Sequence, residues 1–323
     1  MAKRDTTQAA LDRLRELESE EPSESGLVEI RQHLKHRSNH VVGRGAQVAQ
    51  EWKANELIPY LEKAFYRFME NPVKIDPTCI AKRSIVKCLE QLEYTSPDLM
   101  LIGIRHVQME PMWGDPEDTA PGLRGACGRA LAVMRYPEVY LAMARLLVDP
   151  EAEARRSAVD TLQWLGGSES ELLLRTKVLA GDVELDIVAS SLHALMQVQP
   201  DRSLPFVAEY LDSTSDLMEG AALALGESKH PKAFSYLAEA WERAELESDR
   251  QTLLLPLALH RSEEAFALLI EVVAHARAGT AAAAVTALGL YSRDEDRAAA
   301  VRRAVETRTE SAIRAAYDSV FGT

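Results

Sequence analysis

The chain has 323 residues, of which 46% are hydrophobic, 27% charged and 6% aromatic, and its net charge is −13. These are the proportions of a folded chain, and negative charge at this level argues against non-specific binding to nucleic acid or to an anionic membrane surface. A single hydrophobic core rarely grows to this length, but an array of repeats escapes the limit because each unit buries surface only against its neighbours.

Residues 1–26 are polar, with a net charge of −3. Leu11, Leu14 and Leu17 have helical spacing, but the acids and serines of 18–25 read as a linker, so 1–26 is expected to be a flexible acidic segment. The opening MAKRDTTQAALDRLRELESEE has no apolar signal core, which makes a cytoplasmic location the expectation.

Residues 27–121 are expected to hold divergent helix pairs. One runs from Leu27 to Trp52. A helix from Glu56 to Met69 pairs with one from Thr78 to Leu92 across Pro72 and Pro77, and another starts at Pro97 and reaches about Val107. From Pro137 onward a unit recurs every thirty-odd residues, over 137–167, 168–199, 200–229, 230–262, 263–294 and 295–323. In the first unit Val139, Met143, Leu146 and Leu147 share one helix face, and Ala154, Ala158, Leu162 and Leu165 share another. Asp149-Pro150 separates the two helices, and Gly166-Gly167 ends the second as a C-cap would. Pro137, Pro205 and Pro231 are expected near helix starts. Gly125 and Gly128 read as close-packing positions, and Trp52, Trp164 and Trp241 as partly buried helix residues.

Leu146-Leu147-Val148-Asp149-Pro150-Glu151, followed by Ala154-Arg155, Ala158, Leu162 and Leu165-Gly166, resembles a HEAT repeat of the short bacterial kind, like those of phycobilin lyases. Leu211-Asp212 with Ala221, Ala222, Leu225 and Gly226 is a copy without the arginine. Val285, Leu288 and Gly289 close a third copy, and Leu123-Arg124 with Ala126, Ala130 and Leu131 is an earlier one that keeps it. The resemblance is strong over 122–323 and weaker over 27–121. It implies an all-α, right-handed solenoid of about nine helix pairs, with a ladder of Asp and Arg side chains between neighbouring repeats.

Two features stand out against that regularity. Residues 27–93 carry a net charge of +3, whereas 94–323 carry −13, and no acid occurs between Ile30 and Gln50. Arg31, Lys35, His36, Arg37 and Arg44 fall in that window. Gly43-Arg44-Gly45 is expected just before a helix, where free N–H groups beside an arginine would receive an anion. The bland alternative is a solvated terminal-repeat face. The second feature is the long loop 108–121, in which Met109, Met112 and Trp113 are adaptable anchors and Asp115, Glu117 and Asp118 add negative charge. Its bland alternative folds Trp113 back over a helix end as a lid.

No catalytic residue, metal or cofactor is expected. His33, His36 and His40 have i, i+3, i+7 spacing, but Ser38-Asn39 interrupts the helix and no acid or cysteine completes a zinc site. Cys79, Cys88 and Cys127 fit neither a disulfide framework nor a zinc spacing and read as reduced thiols. No run of about 18 apolar residues suggests a membrane span. The expected function is a non-catalytic adaptor that binds another protein through the concave face of the solenoid, the basic N-terminal repeat and the 108–121 loop. The resemblance also implies enzymatic alternatives. HEAT-type hydroxylases use His-Glu dipeptides, and none of the eight histidines here precedes a glutamate. A bilin lyase or isomerase has no decisive motif and stays open. DNA-base excision needs a basic face that the acidic repeats do not offer.

Overall fold

The computed structural model describes residues 2–111, 113–213 and 215–322. It is an all-α array of the solenoid type, with twenty α-helices and one short hairpin among the described residues. The chain divides into two compact units between Thr161 and Leu162, inside a helix and not at a linker. The division expected at 121/122 therefore falls within the first unit.

The first unit contains α1 (Ala2–Ser19), α2 (Glu24–His33), α3 (Asn39–Glu51), α4 (Ile58–Glu70), the single turn α5 (Pro72–Ile75), α6 (Ile80–Gln91) and α7 (Asp98–Gly103). The hairpin strands β1 (Met109–Glu110) and β2 (Glu117–Asp118) follow, then α8 (Pro121–Val133), α9 (Val139–Leu146) and the start of α10 (Ala152–Leu165). The second unit contains α11 (Gly167–Ala180), α12 (Leu185–Val198), α13 (Pro200–Ala208), α14 (Ser215–Ser228), α15 (Ala233–Arg243) and α16 (Glu247–His260). It ends with α17 (Glu263–His275), α18 (Ala278–Leu288), α19 (Glu295–Glu306) and α20 (Ser311–Phe321). With α1 and α5 set aside, the other eighteen helices form nine pairs in chain order, in step with the predicted units.

Packing within each unit follows from where the small and branched apolar residues fall. The second helices of the pairs lie side by side, α3–α6–α8 in the first unit and α12–α14–α16–α18–α20 in the second. Their shared faces are built from residues such as Val42, Ala46 and Ala49 on α3 and Ala221, Ala222 and Leu225 on α14, all fully buried. Each fully buried side chain of valine or leucine size contributes about 1.5–3 kcal/mol. Gly226 marks the closest approach, since a Cβ there would lie 2.2 Å from the Pro256 carbonyl oxygen on α16.

Several expectations are corrected. The flexible segment expected over 1–26 instead contains α1, which packs on α3 with Leu14 and Leu17 fully buried, at the end of the first unit's row of second helices. Gly43, Arg44 and Gly45 lie within α3 and not before it, so their N–H groups are committed to the helix. Pro205 sits inside α13, which starts earlier at Pro200. Trp164 is exposed. The glycine stop expected at Gly166-Gly167 is present, with φ of 66° and 82°, although the ψ of −167° at Gly166 is not that of a left-handed helical cap. Elsewhere the same position is taken by Lys53, Glu93, Arg135, Lys229 and Arg261, all at positive φ. In three of these turns the next residue closes a Schellman bond, from Ala54 N to Ala49 O, Tyr94 N to Leu89 O and Tyr136 N to Leu131 O, each 3.0 Å.

Candidate functional site

The first unit departs from a plain helix stack at the 106–119 segment. Thr78 and Cys79, which enter α6, both have left-handed backbone, with φ of 57° and 56°. A β-branched residue in that region is strained and persists only where its surroundings hold it there. Here they do. The Thr78 N–H donates to Glu110 Oε1 at 2.7 Å, and the Asp76 carboxylate accepts the Ala81 and Lys82 N–H groups at 2.9 and 3.1 Å. Lys82 Nζ lies 3.2 Å from Asp76 Oδ2, and both side chains are fully buried.

Gln108 joins this turn to the hairpin. Its Oε1 accepts from Lys82 Nζ at 2.9 Å and Cys79 Sγ at 3.3 Å and lies 3.0 Å from His106 Nε2, while its Nε2 donates to the Asp76 carbonyl at 2.9 Å. An oxygen that only accepts requires the His106 tautomer with its proton on Nε2. Burial holds His106 below the usual imidazole pKa. Glu110 is buried too, yet its carboxyl stays below the usual range because bonds from Thr119, Gln108 and Thr78 outweigh the cost of desolvation.

One repeat further on, Asp118 accepts the N–H groups of Gln108 and Ala120 at 2.9 and 3.0 Å. Arg124, 3% exposed, donates to Asp118 at 2.6 Å and grips both oxygens of Asp149 at 2.7 Å each. This is the expected Asp–Arg ladder between neighbouring repeats, and the bidentate fork is the strong form of such a pair. Burial pushes the Asp118 carboxyl up, but the two N–H bonds and Arg124 more than reverse that and hold it below its ordinary value. Arg155 Nη1 then donates to the carbonyls of Asp149 and Pro150 at 2.8 and 2.7 Å. The pairs 76/82, 118/124 and 149/155 share one spacing, Asp-x5-Lys/Arg. Sequence reasoning found the last copy, saw only the arginine of the second and missed the first.

The outer side of the hairpin is apolar and uncovered. Val107 and Met109 are 59% and 51% exposed, and Trp113 is fully exposed. The ring therefore does not lie over a helix end. Between the hairpin and the 148–151 turn is a cleft of about 650 Å³. Val107, Met109 and Pro116 form one wall, Val148 and Pro150 the other, and Ile104 with the Arg124 ladder forms the floor. Arg105 and Arg145 stand exposed on the rim. The floor carboxylates of Asp118 and Asp149 already accept internal donors, so that part of the cleft holds a shape, while Glu117 and Glu151 also line it.

The structure separates the other predicted residues. Arg31 and Lys35 lie over the Tyr60 ring of α4, at 4.9 and 5.4 Å from its centroid. His36 Nδ1 accepts the Ser38 N–H at 3.0 Å, and Arg37 is exposed in the same turn. Arg44 turns instead toward α1, where it pairs with Glu18. His33 ends α2 and His40 lies on α3, so the histidines do not share a helix. Met109, Trp113 and Asp115 share the hairpin, and Met112 lies outside the described residues. The opposite wall of the cleft was not anticipated. Its only sequence signal is an apolar residue, Val148, directly before a turn aspartate.

No family model and no curated protein matches the chain. Solved structures similar to it include human deoxyhypusine hydroxylase in complex with glycerol (17% identity, 90% of this chain and 99% of that one, TM-score 0.33). Others are the complex of CpcE and CpcF of phycocyanin lyase from Nostoc (15%, 76% and 94%, 0.37) and Kap121p (12%, 92% and 41%, 0.44). No helix among the described residues is long and apolar enough to cross a membrane.

Proposed function

We propose that the chain is a non-catalytic protein-binding adaptor whose main contact is the cleft beside the 106–119 hairpin. The observation that carries this reading is the fully exposed Trp113, on a hairpin that also bares Val107 and Met109 beside the cleft. Large apolar side chains held out to water on a rigid support are the typical anchors of an interface. The support is rigid because the residues beneath the hairpin are cross-linked by buried hydrogen bonds to α6 and α8. The basic turn with Arg31, Lys35, His36 and Arg37 serves as a second, separate contact, with the first two cations already arranged over Tyr60.

The test starts from affinity capture in native extract at low and high salt, followed by reconstitution with the purified partner. Trp113→Ala combined with Val148→Ser is expected to weaken binding by about 30-fold or more, corresponding to roughly 2 kcal/mol for a hot-spot residue. The thermal midpoint should stay put, because both side chains are exposed. Equal affinity of wild type and variant would rule this contact out.

A further inference from the structure

On the second unit, three cations recur at a spacing of 32 residues: Lys229, Arg261 and Arg293. Lys229 directly follows α14, Arg261 directly follows α16, and Arg293 comes after the 3₁₀ turn Gly289–Tyr291 that extends α18. All three are exposed, and none of their side chains makes an ion pair or hydrogen bond among the described residues. A cation just past a helix C-terminus complements the helix dipole, which accounts for the sign of the charge at each position.

The dipole does not account for what lies between the last two. A cavity of about 550 Å³ opens there, lined by Arg261, Tyr291, Ser292, Arg293, Asp294 and Arg297. Arg297 is fixed against the Phe266 and Tyr291 rings, 5.3 and 4.7 Å from their centroids, and bonds Glu263 at 2.5 Å. Arg261 and Arg293 flank the cavity with their charge unspent.

The helices α14, α16 and α18 pack as immediate neighbours. Packed helix axes lie about 8–10 Å apart, so the three cations form a row with roughly that step. A polyproline II chain has three residues per turn, so every third side chain returns to the same side after an advance of about 9 Å. We infer that this edge binds an acidic polyproline II segment of a protein partner with a carboxylate at every third residue, one per cation, and its last two carboxylates flanking the cavity. The row is a different surface from the hairpin cleft, and the inference does not depend on that one.

The test uses the full chain and three fluorescent peptides in an anisotropy titration at low salt. Glu-Pro-Pro-Glu-Pro-Pro-Glu matches the row, Glu-Glu-Glu-Pro-Pro-Pro-Pro has the same charge in one block, and a Gln version has none. The matched peptide is expected to bind at least fivefold tighter than the block peptide and to lose affinity with added salt. Lys229→Glu/Arg261→Glu/Arg293→Glu should reduce its affinity more than tenfold with an unchanged circular dichroism spectrum. Lys229→Gln alone, at the end of the row, should cost about threefold and guards against a misfolded triple variant. Equal binding of the matched and block peptides would overturn the proposal, as would an unchanged affinity in the triple variant. Tighter binding of single-stranded DNA at the same residues would replace the peptide with a nucleic acid and overturn it as well.

Discussion

Replacing Arg124 by methionine isolates the cost of breaking the inter-repeat ladder. The guanidinium makes three charge-assisted bonds of 2.6–2.7 Å to two carboxylates whose side chains are 8% and 10% exposed, and a fourth bond to the His106 carbonyl at 2.9 Å. Three bonds to charged groups, counted singly, would total roughly 4.5–9 kcal/mol. The carboxylates border the cleft and can regain some water, so the expected loss is that of a broken buried pair, about 3–5 kcal/mol, or roughly 6–20 °C in midpoint. The assay is urea and thermal unfolding followed by circular dichroism.

The pH dependence tests the cause. In the folded protein Asp118 is held below its ordinary pKa, so its contribution is fully present above the unfolded value of about 4 and is lost as pH falls through the lowered folded value. In Arg124→Met the stranded carboxylate is the penalty, and protonating it removes the charge. The gap between wild type and variant should therefore narrow as pH falls below about 4. Arg124→Met with Asp118→Asn and Asp149→Asn should recover much of the loss at pH 7. A loss below about 1 kcal/mol, the level of an exposed pair, would refute the reasoning. So would a gap that does not change with pH.

Gly226→Ala puts a Cβ 2.2 Å from the Pro256 carbonyl and should cost about 1–3 kcal/mol of stability, read as a lower thermal midpoint; an unchanged midpoint would mean that α14 and α16 can separate freely. Burial pushes the Cys79 thiol up to about 11 and that of Cys88 to about 12, and raises Cys127 as well. Labelling by a thiol reagent at pH 8 should therefore follow unfolding, and fast labelling of native protein would contradict the buried arrangement. His106 is held below the ordinary imidazole pKa by burial, so the unfolded chain takes up its proton first. Stability should then decline as pH falls from about 6.5 toward the folded value, and an NMR titration midpoint of His106 at or above 6.5 would reverse that sign.

Much of the architecture was legible from residue order because the helix pair is a local object. The recurrence of apolar steps from Val139 to Leu165, the Asp149-Pro150 break and the Gly166-Gly167 stop all act within a few turns of chain, and the structure places helices and a glycine stop at those positions. Ala221, Ala222 and Gly226 likewise state that a neighbour comes close, although not which one. The same locality explains the failures. Residues 1–26 read as a flexible segment because the apolar surface against which α1 buries Leu14 and Leu17 belongs to another helix, α3. Gly43-Arg44-Gly45 resembled a loop because glycine lowers helix propensity, and tertiary packing overrode that preference.

The site needed the tertiary structure. Sequence determined that a long, Met- and Trp-bearing segment interrupts the repeats, that its neighbours include an Asp-x5-Arg step, and that cations recur at 229, 261 and 293. It did not determine that Asp118 belongs to the ladder and not to a charged loop, that Trp113 faces water, or that Val148 lies across a cleft from Met109. The far rung of the ladder and the two cleft walls depend on residues 25 and 39 positions apart, Arg124 with Asp149 and Met109 with Val148, meeting through packed helices. Side-chain burial and charge compensation are properties of such meetings, and no local pattern of residues encodes them.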